Sequence, residues 1–221
     1  MMTHTMALVL AAALAAATGQ VGVNTVAPQT VKGVPATFDL GGFRLGMTEE
    51  EAQRVLKARG MTVRRSSRTD TFDDRVRKLV NMRGGRRPLR GDSVLDSADI
   101  DDGRGGRIMI RMLGWPEGAR IRGVTYLPPA GTDPAKWRSL LADKYGMHSK
   151  DSGAVDGDGL HARWCGQAAC LGEGSVFRLG ADVGPLGGQI TLAQPDGTSQ
   201  RVTTLVEQEA LRQGKRSAPS L

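Results

Sequence analysis

A chain of 221 residues with 39% apolar residues but only four Phe, three Trp and two Tyr can bury a core of modest size, in one sizeable domain or two small fused units. Thirty glycines imply many turns, and the lack of any long apolar run beyond the first seventeen residues argues against a transmembrane anchor. The net charge of +7 is no even coat: residues 64–90 hold ten basic residues against three acidic ones, and the remainder balances at 20 of each sign.

Residues 1–17 carry no Lys, Arg, Asp or Glu, and 6–17 form an unbroken Ala/Leu-rich stretch closed by Ala15, Ala16 and Ala17. That length and ending suit the core of a signal peptide and fall short of a bilayer span. The chain is therefore expected in the periplasm or secreted, without a lipid-accepting Cys after the signal. Residues 18–37 lack periodicity and are expected as a flexible leader, with order beginning at Phe38. Residues 38–45 suit a short strand or hairpin entry, turned by Gly46 and Met47. Thr48 followed by Glu49, Glu50 and Glu51 is a capping box, predicting a helix that ends at Arg59 with Gly60 as its left-handed stop. A strand over 61–64 and a second helix over 72–82 follow, the latter with Phe72, Val76, Leu79 and Val80 at helical spacing.

This region contains Arg64, Arg65, Arg68, Arg75, Arg77, Lys78, Arg83, Arg86, Arg87 and Arg90, the candidate contacts for an anion or an acidic partner. Arg exceeds Lys by 23 to 7 over the whole chain, so a solvated basic face is the competing explanation. No aromatic residues interleave to stack on bases, which disfavours nucleic acid. Downstream, Asp92, Asp96, Asp99, Asp101 and Asp102 lack the spacing of a calcium loop and could neutralise the arginines across the fold.

Alternating apolar residues at 107–113 and 119–127 predict a hairpin with a five-residue loop and a bulge at Gly123. Asp133 and Pro134 cap a third helix, whose Trp137, Leu140, Leu141 and Tyr145 share a face before Gly146. Strands are expected at 160–165, 175–179, 189–194 and 201–206, then a polar tail from 207 to 221. Cys165 and Cys170 would form a disulfide in an oxidising compartment, clipping a short loop. A zinc site with His148 and His161 would need closer ligand pairs, and no cofactor is expected.

The segments from Thr48 to Met61 and from Asp133 to Met147 share a cap, an amphipathic helix, a Gly stop and a Met-led exit. The expected fold class is α+β, with helices on one face of an antiparallel sheet. A tandem duplication, with units 38–130 and 131–206, is one organisation of that domain.

Gly42-Phe-Arg-Leu-Gly-Met-Thr-Glu-Glu-Glu-Ala52 resembles the opening of small envelope domains that include the SmpA/OmlA-type outer-membrane assembly lipoproteins and β-lactamase inhibitory protein. Leu141-Ala-Asp-Lys-Tyr-Gly146 is similar to a helix-ending motif in exported proteins with the same opening. The resemblance implies helices against an antiparallel sheet and a role in binding other proteins. The lipid-bearing Cys of the lipoproteins is missing here.

No esterase elbow, zincin, Walker or dinucleotide motif occurs, and Gly187-Gly188-Gln189 suits a glycine hairpin. The expected function is a non-catalytic binding or accessory module of the bacterial envelope, its partner another envelope protein. The alternatives are an anion-binding protein that uses residues 64–90 on anionic lipid or glycan, and a hydrolase without a recognisable motif.

Overall fold

The computed structural model describes residues 34–149, 159–165, 170 and 176–216. The expected signal segment and most of the leader lie outside them. In chain order the elements are β1 (Asp39–Leu40), β2 (Phe43–Arg44), α1 (Glu49–Arg59), β3 (Thr62–Asp70), α2 (Phe72–Arg83), β4 (Ser93–Asp101), β5 (Arg107–Trp115), β6 (Gly118–Leu127), α3 (Pro134–Tyr145), β7 (Leu160–Trp164), β8 (Arg178–Gly184), β9 (Gly187–Ala193) and α4 (Thr198–Arg216). A short 3-10 turn over Pro35–Thr37 precedes them.

The local signals act as expected. The Thr48 hydroxyl accepts the Glu51 amide at 3.1 Å, the Glu51 carboxylate accepts the Thr48 amide at 2.8 Å, and Gly60 closes α1 at φ 62°. Asp133 caps α3 by accepting the Ala135 amide at 2.9 Å, with Pro134 in the first turn. The Gly46 turn is bolted to the sheet: its amide donates to the Ile121 carbonyl, and the Ile121 amide donates to the Met47 carbonyl, both at 2.8 Å.

Seven strands form one antiparallel sheet in the order β3-β4-β5-β6-β9-β8-β7, and β1 with β2 makes a separate two-stranded piece. The fold class is α+β. Strand alternation sends two rows of apolar side chains to one face. Ala98, Ile110, Val124, Leu192, Leu179 and Trp164 stand opposite one another across the strands, and so do Ile100, Ile108, Tyr126, Ile190, Ala181 and Ala162. On this face α1, through Ala52, Val55 and Leu56, and α3, through Trp137, Leu141 and Tyr145, complete the main core.

The second helix pair does something else. Phe72 and Val76 of α2 meet Val202, Val206 and Ala210 of α4 in a separate cluster, with Leu113 and Trp115 of β5 packed against it. Leu113 and Trp115 alternate with Met112 and Gly114, so this pair covers one end of the opposite sheet face.

Several boundaries differ from expectation. Residues 201–206 are helix, as are 207–216: the β-branched run of Val202, Thr203, Thr204 and Val206 suits a strand, but Val202, Val206 and Ala210 at four-residue spacing bury a helical stripe against α2. β4 lies where only an acidic run was expected, with Ala98 and Ile100 buried between aspartates that point the other way. The hairpin turn is tighter than five residues, since Trp115 pairs with Gly118 across Pro116 and Glu117, and the bulge is at Arg122. β3 runs well beyond residue 64, and β8 begins at Arg178. Cys165 and Cys170 stand at disulfide distance with Cα atoms 5.6 Å apart. No helix among the described residues is long and apolar enough to cross a membrane.

Candidate functional site

Between α1 and α3 the sheet is left partly uncovered, and a cleft of about 800 Å³ opens there. Its floor is Ile108 of β5 and Tyr126 of β6; the C-terminal end of α1 with Met61 forms one wall, and Trp137, Leu140 and Tyr145 of α3 form the other. Leu140 is 49% exposed, standing at the mouth rather than in the core. The rings of Tyr126 and Trp137 lie 5.6 Å apart and tilted, a geometry that favours aromatic contact.

Glycines let the backbone run close around this floor. Gly41 holds φ 63°, and a Cβ there would sit 2.6 Å from Ile108 Cδ1. At Gly42 it would lie 2.7 Å from Arg59 Nε, and at Gly106 it would strike the Tyr126 hydroxyl.

The polar groups of the cleft are anchored. Tyr126 donates its hydroxyl to Asp102 Oδ2 at 3.0 Å, and burial together with that carboxylate pushes the phenol up to about 12. Asp102 Oδ1 accepts the amides of Arg104 at 2.8 Å and Gly106 at 2.9 Å. Burial and the nearby Asp39 charge also raise the Tyr145 phenol, which donates to the Asp39 backbone carbonyl. Burial alone would raise Asp39, but the Lys144 hydrogen bond and charge, the Gly42 amide and Arg59 outweigh it and hold the carboxyl below its ordinary range. Lys144 Nζ donates to both Asp39 O and Asp39 Oδ1 at 2.9 Å, so two consecutive α3 residues clamp β1. The rim mixes Asp102 and Asp143 with Arg59, Arg104 and Lys144. Chemically, the cleft offers apolar burial beside phenols that stay protonated at neutral pH.

The basic segment is divided among three elements. Arg64, Arg65 and Arg68 are on β3, Arg75, Arg77, Lys78 and Arg83 on α2, and Arg86, Arg87 and Arg90 on the connection to β4. Arg68 pairs with Glu49 at 3.0 Å, Lys78 with Asp70 at 2.6 Å, and Arg77 with Asp74. Arg75 donates to the Thr203 hydroxyl at 3.4 Å. Arg64 and Arg65 lie in the field of Asp99, whose carboxyl is lowered chiefly by its hydrogen bond from Arg107. Arg83, Arg86, Arg87 and Arg90 are exposed and make no ion pair among the described residues.

His161 faces Asp182 at 3.1 Å on neighbouring strands, both more than half exposed, away from the cleft. His148 Nδ1 lies 2.9 Å from the Ser149 carbonyl. Among the described residues no group of three or more His, Cys, Asp or Glu side chains is arranged to hold a metal ion.

Trp137, Leu140, Leu141 and Tyr145 were legible in the sequence as one helix face, but Tyr126 had no role there, and Asp102, expected only to help neutralise the arginines, instead holds the Tyr126 hydroxyl and the loop amides of Arg104 and Gly106. The one available signal was Tyr126 itself, a polar-tipped aromatic on an apolar strand face that needs a partner for its hydroxyl. Comparison with protein-family models, with curated proteins and with solved structures finds no match for this chain.

Proposed function

We propose that the chain is an exported, non-catalytic binding module of the bacterial envelope that receives an apolar segment of another envelope protein in the cleft between α1 and α3. The observation that carries this reading is the cleft itself: about 800 Å³, floored by Ile108 and Tyr126 and flanked by the half-exposed Leu140. The cysteine pair at disulfide distance supports an oxidising compartment. The likeness of residues 42–52 to envelope domains that bind proteins supports the same role, and α1 with its capping box forms one wall of the cleft.

The test is a photoreactive residue placed at Leu140 in cells that express the full chain, with one at Leu186, 96% exposed and remote in sequence, as control. A discrete adduct from position 140 alone, abolished by Trp137→Ala, is the expected result. Equal labelling from both positions would defeat the reading.

A second reading keeps Arg83, Arg86, Arg87 and Arg90 as an anion site, favoured by four exposed guanidinium groups without carboxylate partners among the described residues. Replacing all four by Glu should leave the thermal transition within a few degrees and, on this reading, abolish salt-dependent binding to anionic vesicles or heparin. Wild-type protein that shows no such binding leaves these arginines as a solvated face.

A further inference from the structure

The connection from α2 to β4 is pinned at both ends. Gly85 turns left-handed at φ 66°, the Arg86 amide donates to the Asn81 carbonyl at 2.8 Å and the Gly85 amide to the Met82 carbonyl at 3.1 Å, so a Schellman turn fixes where the chain leaves α2. It returns to the start of the same helix. The Thr71 amide donates to the Asp92 carbonyl at 3.4 Å, and Gly91 lies so close to Asp74 that a Cβ there would strike the carboxylate. Residues 86–90 therefore run back along the outside of α2, and all of them are exposed.

This surface joins two chemistries. Arg83, Arg86, Arg87 and Arg90 have no carboxylate partner among the described residues, and no Asp or Glu occurs between Asp74 and Asp92. Next to Arg83 stands Met82, 55% exposed, and next to Arg90 stands Leu89, 69% exposed. Single apolar residues are ordinary on a surface, but these two are set among unpaired guanidinium groups on a segment of fixed course. A soluble polyanion such as heparin or nucleic acid would neutralise the arginines and leave both apolar side chains in water. A protein partner would find no hole for an anchoring side chain, since none of the larger clefts among the described residues includes any part of 82–90. An anionic bilayer satisfies both chemistries: its phosphates receive the arginines, and the boundary between headgroups and acyl chains receives the apolar side chains.

We propose that residues 82–90 dock the protein on an anionic lipid surface, with the four arginines on lipid phosphates and Met82 and Leu89 immersed at the headgroup boundary. This rests on the reading of Arg83, Arg86, Arg87 and Arg90 as an anion site and commits that site to a bilayer. The cleft between α1 and α3, on the other face of the sheet, stays free to hold a protein segment.

The experiment is vesicle flotation of the chain from Thr18, the form expected after export, so that the apolar 6–17 stretch adds no lipid binding of its own. Vesicles of equimolar phosphatidylglycerol and phosphatidylcholine are compared with phosphatidylcholine alone, and heparin affinity is measured beside them. Wild-type protein should float with the anionic vesicles, ignore the neutral ones and detach as salt is raised. Each basic residue at an anionic surface strengthens binding about fivefold, so Arg→Gln at all four positions should weaken vesicle binding tenfold or more, and heparin binding with it. Met82→Ser/Leu89→Ser should weaken vesicle binding about tenfold while heparin binding is unchanged. Leu186→Ser, at an exposed leucine far along the chain, should alter neither. If the serine pair lowers the thermal transition, Leu89→Ser alone, outside the helix, gives the same comparison with a smaller loss. Serine variants that keep wild-type vesicle affinity, or that lose vesicle and heparin binding in equal measure with the fold intact, would overturn the lipid assignment and leave the anion reading standing. Wild-type protein that binds neither vesicles nor heparin would overturn both.

Discussion

The two faces of the central sheet are built from the same strands and have opposite chemistry. On one, Ile110 and Val124 sit in a dry row under α1 and α3; one residue further along each strand, Arg111 and Thr125 look the other way onto a polar trough. An alternation of period two thus separates an apolar, aromatic-lined cleft from a cationic one within the thickness of a single sheet. Neither face needs a separate domain to carry its chemistry.

The contrast can be broken most severely on the apolar side. Ile110 is fully buried, and Ile110→Ala should cost about 3–4 kcal/mol in urea unfolding. Arg111→Ala, its immediate neighbour on the other face, should stay within about 0.5 kcal/mol. Equal losses from the two would show that the faces are not distinct.

A smaller effect is expected at the edge of the main cleft. Gly41→Ala forces a β-carbon into the left-handed region and against Ile108, at a cost of about 1–2 kcal/mol read from the denaturation midpoint. The same change at Gly46, also at positive φ but with open space around its Cβ, should cost less, because only the backbone term remains.

The smallest effect sharpens the comparison through pH. Tyr126→Phe removes the hydrogen bond to Asp102 and should cost about 1 kcal/mol at neutral pH. A phenol that titrates near 10 when unfolded and at about 12 when folded binds its proton more tightly in the folded state. Its contribution is therefore complete below pH 10 and disappears as pH rises through 12. The stability difference between wild type and Tyr126→Phe should shrink over that window. Asp39 acts in the opposite sense: with its carboxyl held low, it contributes above the ordinary carboxylate range and loses that contribution as the solution is acidified. A difference between wild type and Asp39→Asn that vanishes on acidification would verify this.

What the sequence disclosed is what local chemistry controls. The Thr48 capping box, the Gly60 stop, the Asp133-Pro134 start and the alternation in β5 and β6 are each settled by neighbours within a few residues. β4 escaped because its aspartates dominate its composition, although Ala98 and Ile100 alternate with them as a half-buried strand requires. α4 escaped because β-branched residues favour strands until a partner helix supplies a groove, and that partner, α2, lies more than a hundred residues earlier. The ten basic residues of 64–90 could be counted, but their division among a strand, a helix and a loop could not. Both clefts depend on register: nothing local sets Arg111 beside Gly123 and Arg178, or Tyr126 beneath Trp137.

The pairing of α2 with α4 bears on the order in which the molecule can assemble when the chain is delivered to its compartment amino end first. Residues 72–83 emerge early, with Phe72 and Val76 ready to be buried, yet the side chains that bury them belong to residues 202–210. Strands β3 to β6 can join as a meander first, but α2 must wait, its apolar stripe open to water and to chaperones, until residues 198–216 have followed. A chain truncated before residue 198 should thus be recognised by chaperones and cut by protease near α2, and both liabilities should end once α4 is present to dock.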